Sequence, residues 1–178
     1  MRTGIIICGL NGVGKSTLGK ALAEKLDFYF IDNEDLFFPK DNPDYLFASP
    51  RTRIEAEKLL FDEVKAHENF VLSAVKGNYG EDIIPLYQYA VLVEVPKKIR
   101  IQRVKDRSFQ KFGERMLSGG DLYEKERKFF DIVEARPENY AEEWVQSLGC
   151  PVIRVDGTRP VEQNVDLIIE SINQIRKQ

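Results

Sequence analysis

A parallel α/β sheet with helices on both faces is the fold class this chain predicts, and three observations predict it. Strand-like apolar runs alternate with helix-period patterns along all 178 residues, the order that produces crossover-connected parallel strands. The first run, Gly4-Ile5-Ile6-Ile7-Cys8, is apolar without alternation, as a strand buried on both faces must be. It runs directly into Gly9-Leu10-Asn11-Gly12-Val13-Gly14-Lys15-Ser16-Thr17, a fit to the phosphate-loop (Walker A) pattern G-x-x-x-x-G-K-[ST], which joins a strand to a helix.

The elements follow in order. After the strand at 4–8, Leu18, Ala21, Leu22 and Leu26 recur at helical spacing and predict a helix over 15–26. A second strand is expected at 28–31, a helix at 52–66 and a third strand at 70–74. The run at 89–95 gives a fourth strand, followed by helices at 97–107 and 121–147, the latter broken near Pro137. A fifth strand at 151–155 precedes a helix at 161–176, where Val161, Val165, Ile168, Ile169, Ile172 and Ile175 share one apolar face. No linker and no internal repeat interrupts the pattern, so residues 1–178 read as a single domain. Ligands of such sheets bind at the carboxyl ends of the strands, so the chemistry belongs just after each strand.

Composition narrows the partners. With 26 Lys and Arg against 29 Asp and Glu the net charge is −3, which favours neither nucleic acid nor an anionic membrane surface. Cys8 and Cys150 lie in apolar runs and read as buried thiols of a reducing compartment. No apolar stretch approaches the ~20 residues of a membrane span, and no signal-peptide pattern precedes the loop, so a cytoplasmic location is expected. His67, the lone histidine, has no Cys or His cluster around it and gives no transition-metal site. Oligomeric state is not legible.

The phosphate loop carries the most specific chemistry. Its glycines let the N–H groups of residues 11–17 converge on phosphates, Lys15 reaches the outer phosphates, and the Ser16 hydroxyl suits Mg²⁺. A chance match is expected in roughly one chain of this length in a hundred, and the strand before and helix after make it rarer still. After the second strand comes Asp32-Asn33-Glu34-Asp35. Asp32 stands where a carboxylate can organise the loop's Mg²⁺, and Glu34 or Asp35 can face an acceptor hydroxyl and take its proton; the competing reading is an acidic turn that caps a helix. Beyond the third strand, Ser73 occupies the neighbourhood where many phosphate-loop proteins keep an aspartate. In the loop that Gly77 and Gly80 bend, Lys76, Asn78 and Tyr79 are either acceptor contacts or part of a surface turn.

After the fourth strand, Arg100, Arg103 and Arg107 share a helix, the last two on one face. Arg115 and the Gly113 to Gly120 segment follow, a candidate lid at about 108–122 over which arginines would close on transferred phosphate. A solvated face is the alternative. Arg136 is a weaker member of the set. After the fifth strand, Asp156-Gly157-Thr158 forms a turn that can cover a nucleotide base. Leu117-Ser118-Gly119-Gly120-Asp121 looks like the signature of transporter ATPases, but a charged helix rather than a strand ending in Asp-Glu follows, so the match is coincidental. Neither Asn-Lys-x-Asp nor Asp-x-x-Gly occurs, which removes the GTPases.

Nearly the whole chain resembles the phosphate-loop small-molecule and nucleoside monophosphate kinases, such as shikimate, gluconate and adenylate kinase. Phe30-Ile31-Asp32-Asn33-Glu34 is similar to the Asp-x-Asp element of shikimate kinase. Arg103-x-x-x-Arg107 resembles the lid-side arginine pair of adenylate kinase, and Val155-Asp156-Gly157-Thr158 its adenine-side turn. The resemblance implies a three-layer α/β/α sandwich of the phosphate-loop NTPase type, with a five-stranded sheet ordered 2-3-1-4-5. It implies ATP and Mg²⁺ as cosubstrates, with Arg107, Gly157 and Thr158 beside the nucleotide and an acceptor held by residues of about 33–80. Of Arg51 and Arg53, at the destabilising end of a helix dipole and pointing to different sides of the helix start, one is expected to serve that acceptor through a guanidinium fork, the competing reading being solvated charges that bridge to Glu55 or Glu57. Phe37, Phe38, Tyr45 and Phe47 either stack a base or form core. The expected activity is ATP-dependent phosphoryl transfer to a small hydroxylated or phosphorylated metabolite. A nucleoside monophosphate kinase and an ATP-binding sensor without turnover are the alternatives.

Overall fold

All six residues of the first strand, β1 (Thr3–Cys8), are buried, and the rest of the sheet follows from that. In the computed structural model, which describes residues 2–177, β1 is flanked by β2 (Tyr29–Asp32), β3 (Asn69–Ser73), β4 (Tyr87–Glu94) and β5 (Val152–Asp156). The order is β2-β3-β1-β4-β5, as the resemblance implies, and every pairing is parallel. Period-two alternation divides the apolar residues between two cores. Ile5 and Ile7 join Val71, Val91 and Val93 on one face; Ile6 and Cys8 join Phe70, Leu72 and Leu92 on the other.

Seven α-helices are described: α1 (Lys15–Leu26), α2 (Asn33–Phe37), α3 (Arg53–Ala66), α4 (Lys97–Phe112), α5 (Tyr123–Ala135), α6 (Tyr140–Gln146) and α7 (Val161–Ile175). Leu18 and Leu22 of α1 with Val165, Ile168 and Ile172 of α7 cover the first face. Ala56, Leu60 and Val64 of α3 with Ala141 and Val145 of α6 cover the second. Each fully buried Leu or Ile contributes about 1.5–3 kcal/mol, so these stripes fix both outer layers. Helices α4 and α5 pack on each other outside both clusters. No helix among the described residues is long and apolar enough to cross a membrane.

Three elements differ from the sequence reading. The helix expected over 121–147 is two, because Pro137 holds Arg136 in extended backbone (φ −64, ψ 129) and ends α5 there. The helix expected over 97–107 continues to Phe112, so residues 108–112 are helical and only the 3-10 turn Gly113–Met116 and the loop after it remain irregular. The short α2 was not anticipated; Asp32 makes it, as its side chain accepts the N–H of Glu34. The start of α3 is pinned by a capping box in which Thr52 and Glu55 satisfy each other's backbone N–H groups.

Candidate active site

The phosphate loop turns from β1 into α1 on two glycines held at positive φ. Gly12 has φ +85, and a Cβ there would lie 2.1 Å from the Arg100 carbonyl oxygen. Gly14, at φ 95, is the left-handed N-cap of α1, and no side chain caps that end. The uncapped N–H groups of the first turn are thus left for an anion, which the helix dipole also favours. They face a cavity of about 610 Å³ lined by residues 12–18 of the loop, by Arg103 and Arg107 of α4, and by Gly157, Thr158 and Asn164 beyond β5.

Lys15 Nζ donates to the Leu10 carbonyl at 3.0 Å. Burial pulls its pKa down to about 8, and the Arg107 and Arg136 guanidiniums push in the same direction while Asp32 opposes them. An ammonium so placed lacks anionic partners and gains them from phosphate. Arg136 Nη1 donates to Asn11 Oδ1 at 2.6 Å, bracing the loop from the end of α5. Arg103 Nη1 donates to the Gly157 carbonyl at 3.0 Å, so it shapes the turn after β5; Asp156 Oδ1 completes that turn by accepting the Thr158 N–H and hydroxyl at 2.8 and 2.6 Å. Arg107 lines the same cavity and forms no ion pair among the described residues.

Arg107 also lines a second cavity, of about 220 Å³. Its polar lining includes Asn11, Asn33, Glu34, Lys111 and Glu126, and Phe38, Tyr45, Phe47 and Phe129 supply its apolar walls. Glu34 Oε1 and Lys111 Nζ are 3.3 Å apart. Arg107 therefore faces two chambers, one at the phosphate loop and one walled by aromatic rings and carboxylates.

The structure brings together Gly12, Val13, Gly14, Lys15, Ser16, Thr17, Arg103, Arg107, Gly157 and Thr158 around the first cavity, and Asn11, Glu34 and Arg107 around the second. Asp32 ends β2 opposite Ser73 and caps α2, its Oδ1 accepting from the Glu34 N–H at 2.9 Å; the strand-end and capping readings hold at once. Of the two oxygen donors expected for Mg²⁺, the Ser16 side chain is exposed and lines the first cavity, whereas Asp32 lines neither; so sparse a set would suit only a cation that keeps most of its ligands as water and phosphate.

Arg51, Arg53, Lys76 and Asn78, expected at the acceptor, line neither cavity. Arg51 Nη1 donates to the carbonyls of Asp35 and Leu36 at 2.9 and 3.0 Å, closing the carboxyl end of α2. Arg53 pairs with Glu57 at 2.8 Å and donates to the Asn78 carbonyl, and Lys76 Nζ lies 3.5 Å above the Tyr140 ring. Conversely, Ser108, Lys111, Glu126 and Phe129 line the second cavity without having been anticipated. One signal for Glu126 was present: Leu122, Glu126 and Val133 fall on one stripe of α5 and all are buried, so a carboxylate occupies a core position. The Leu117–Asp121 segment is a closed turn, Arg115 holding both Asp121 oxygens at 3.0 and 2.7 Å.

Comparison with known proteins bears on the family and the fold. Residues 5–114 match the family described as the AAA domain. Uncharacterized protein YqaC of Bacillus subtilis (strain 168) is 28% identical, over 97% of this chain and 99% of its own. An adenylate kinase isoenzyme 6 homolog of Caenorhabditis elegans is 23% identical, over 99% of this chain and 93% of its own. Among solved structures, deoxyadenosine kinase from M. mycoides with bound dATP has a TM-score of 0.60 at 19% identity, covering 96% of this chain and 100% of its own. The chain belongs to the AAA domain family and has the fold of the phosphate-loop small-molecule and nucleoside kinases.

Proposed function

We propose that the protein is an ATP- and Mg²⁺-dependent kinase that phosphorylates a hydroxyl of a small-molecule acceptor, with no role for nucleic acid or membrane. The observation that carries this reading is the position of Arg107, which lines both the phosphate-loop cavity and the aromatic cavity. A γ-phosphate held by the loop and an acceptor in the second chamber would meet beside its guanidinium. The loop N–H groups and Lys15 bind and orient the polyphosphate; Arg107 neutralises charge on the phosphoryl group in transit. Mg²⁺, held by Ser16 and Asp32 and by the phosphates themselves, would neutralise the remaining charge. The acceptor oxygen bonds to the γ-phosphorus as the bond from that phosphorus to the β,γ-bridging oxygen breaks. The hydroxyl proton passes to the Glu34 carboxylate, and ADP leaves.

A coupled ADP-release screen over sugars, sugar acids, nucleosides and nucleoside monophosphates tests this. Acceptor-dependent ADP release is the expected result. ATP binding without turnover across the whole panel would overturn the kinase reading in favour of an ATP-dependent sensor, and turnover of monophosphates alone would make the protein a nucleoside monophosphate kinase.

A further inference from the structure

A carboxylate on α5 is 2% exposed in a helix whose neighbours are charged and solvated. It is Glu126. Its Oε1 accepts the Tyr45 hydroxyl at 3.0 Å, across 81 residues of sequence, and Oε2 accepts nothing among the described residues. Both residues line the aromatic cavity. The Tyr45 ring meets Phe47 edge-on at 5.6 Å between centroids, and Phe47 meets Phe38 likewise at 5.0 Å, so the pair lies at the base of an apolar wall.

A buried carboxylate needs donors. Tyr45 satisfies one oxygen, and Glu126 lines a chamber whose cations are already engaged or shared: Lys111 pairs with Glu34 and Arg107 also serves the nucleotide cavity. A phosphate in this chamber would set like charge against Glu126 at low dielectric, an interaction costing far more there than in water. A hydroxyl would instead donate to Oε2 in a charge-assisted hydrogen bond, while its ring lay against Phe38 and Phe47. At about 220 Å³ the chamber is smaller than the ~300–1,000 Å³ of sites for drug-sized ligands, so the occupant is small.

We infer that the acceptor is an uncharged, hydroxylated ring compound, a nucleoside or a monosaccharide rather than their phosphates, and that Glu126 with Tyr45 selects it by holding a hydroxyl other than the one phosphorylated. The inference rests on the kinase reading only for the word acceptor; as a binding site it stands separately. Burial and the neighbouring carboxylate raise the Tyr45 phenol to about 12, so it donates to Glu126 throughout the working pH range.

The test pairs ligands with variants. Ribonucleosides, ribose and glucose, each beside its monophosphate and a deoxy analogue, are measured for ADP release with ATP and for calorimetric binding with a non-hydrolysable ATP analogue. Wild-type protein is expected to select one neutral compound and to discriminate against its deoxy analogue at least tenfold, about 1.4 kcal/mol. Glu126→Gln keeps the shape of the side chain, and Tyr45→Phe keeps the ring. Each is expected to raise KM or Kd for that compound at least tenfold, to erase the deoxy discrimination, and to leave ATP affinity unchanged. Whether nucleoside or sugar is selected separates the two sources. Exclusive use of phosphorylated acceptors would overturn the inference while the kinase reading stood. Neutral binding lost in Glu126→Gln without ADP release from any compound would uphold the inference and sink the kinase reading. Variants that lower only thermal stability while retaining deoxy discrimination, or no neutral compound bound at all, would show the pair to be structural and overturn the inference.

Discussion

Ser73 Oγ donates a 3.0 Å hydrogen bond to the Lys15 carbonyl oxygen, tying the carboxyl end of β3 to the first residue of α1. Ser73 is 1% exposed and lies opposite Asp32 in the β2–β3 register. Where a carboxylate would reach toward the metal, this hydroxyl braces the backbone of the phosphate loop. Ser73→Ala should therefore cost about 1 kcal/mol of stability, the net worth of one internal hydrogen bond, with ATP affinity changed by less than about threefold. Denaturant titration and calorimetry measure both. A tenfold loss of affinity at unchanged stability would move Ser73 from the brace to the metal.

Lys15 gives a prediction in pH. Its pKa of about 8 in the folded protein lies below the ordinary 10.5, so folding disfavours the charged ammonium. Between those values the unfolded chain holds a proton that the folded chain does not, and this group's destabilising contribution, full below about 8, is relieved as pH climbs toward 10.5. Phosphate reverses the preference. ATP binding at pH 8 to 9 should take up a fraction of a proton, visible in calorimetry across buffers of different ionisation enthalpy, and affinity should fall as pH rises through that range. Lys15→Ala should fold, lose ATP affinity by about a hundredfold or more, and lose the proton uptake, since two charge-assisted bonds to phosphate are worth about 3 kcal/mol. Uptake that persists in the variant would place the titrating group elsewhere.

What the sequence made legible was local. The apolar run at 4–8, the glycines of the loop and the stripe from Val161 to Ile175 each carry their signal within one turn or one strand, so β1, the nucleotide loop and α7 could be read directly. Glu126 gave only its place on the stripe it shares with Leu122 and Val133; its role could not be read, because its partner Tyr45 is 81 residues away. Arg51 misled for the mirror-image reason. A guanidinium near a helix start looks reserved for an anion, yet its partners are the carbonyls of Asp35 and Leu36, which belong to a helix of five residues too short to leave a periodic signal. Sequence spacing put Arg103 and Arg107 on one face; only the bond from Arg103 to the Gly157 carbonyl, beyond the end of β5, separates their roles.

Asp32 has two duties that different substitutions can part. Its Oδ1 caps α2 through the Glu34 N–H, and its charge lies within the electrostatic reach of Lys15. Asparagine caps a helix about as well as aspartate but carries no charge. Asp32→Asn should thus keep the melting temperature while lowering turnover more than ATP affinity, because the carboxylate proposed to help hold Mg²⁺ is lost. Asp32→Ala should lose turnover and also about 0.5–2 kcal/mol of stability. If Asp32→Asn turns over normally, the residue is a cap alone.

The two lid-side arginines should separate in kinetics. Arg107 faces both cavities and makes no ion pair among the described residues, so it can follow charge as a phosphoryl group moves. Arg103 is already committed to the Gly157 carbonyl at 3.0 Å, in the turn that borders the nucleotide cavity. Arg107→Ala should lower kcat by about a hundredfold or more, on the order of 3 kcal/mol of transition-state stabilisation, with KM for ATP changed little. Arg103→Ala loosens a binding turn and touches no reacting group, so it should raise KM for ATP several-fold with kcat nearly preserved, the pattern of lost ground-state binding. Arg107→Lys keeps the charge but not the planar fork, and should recover only part of the rate. Steady-state kinetics with the acceptor identified by the ADP-release screen decides the matter. Equal falls in kcat for both alanine variants would mean that Arg103 leaves the Gly157 carbonyl during turnover and joins Arg107 at the phosphoryl group, and near-normal rates in both would return the pair to the solvated surface of α4.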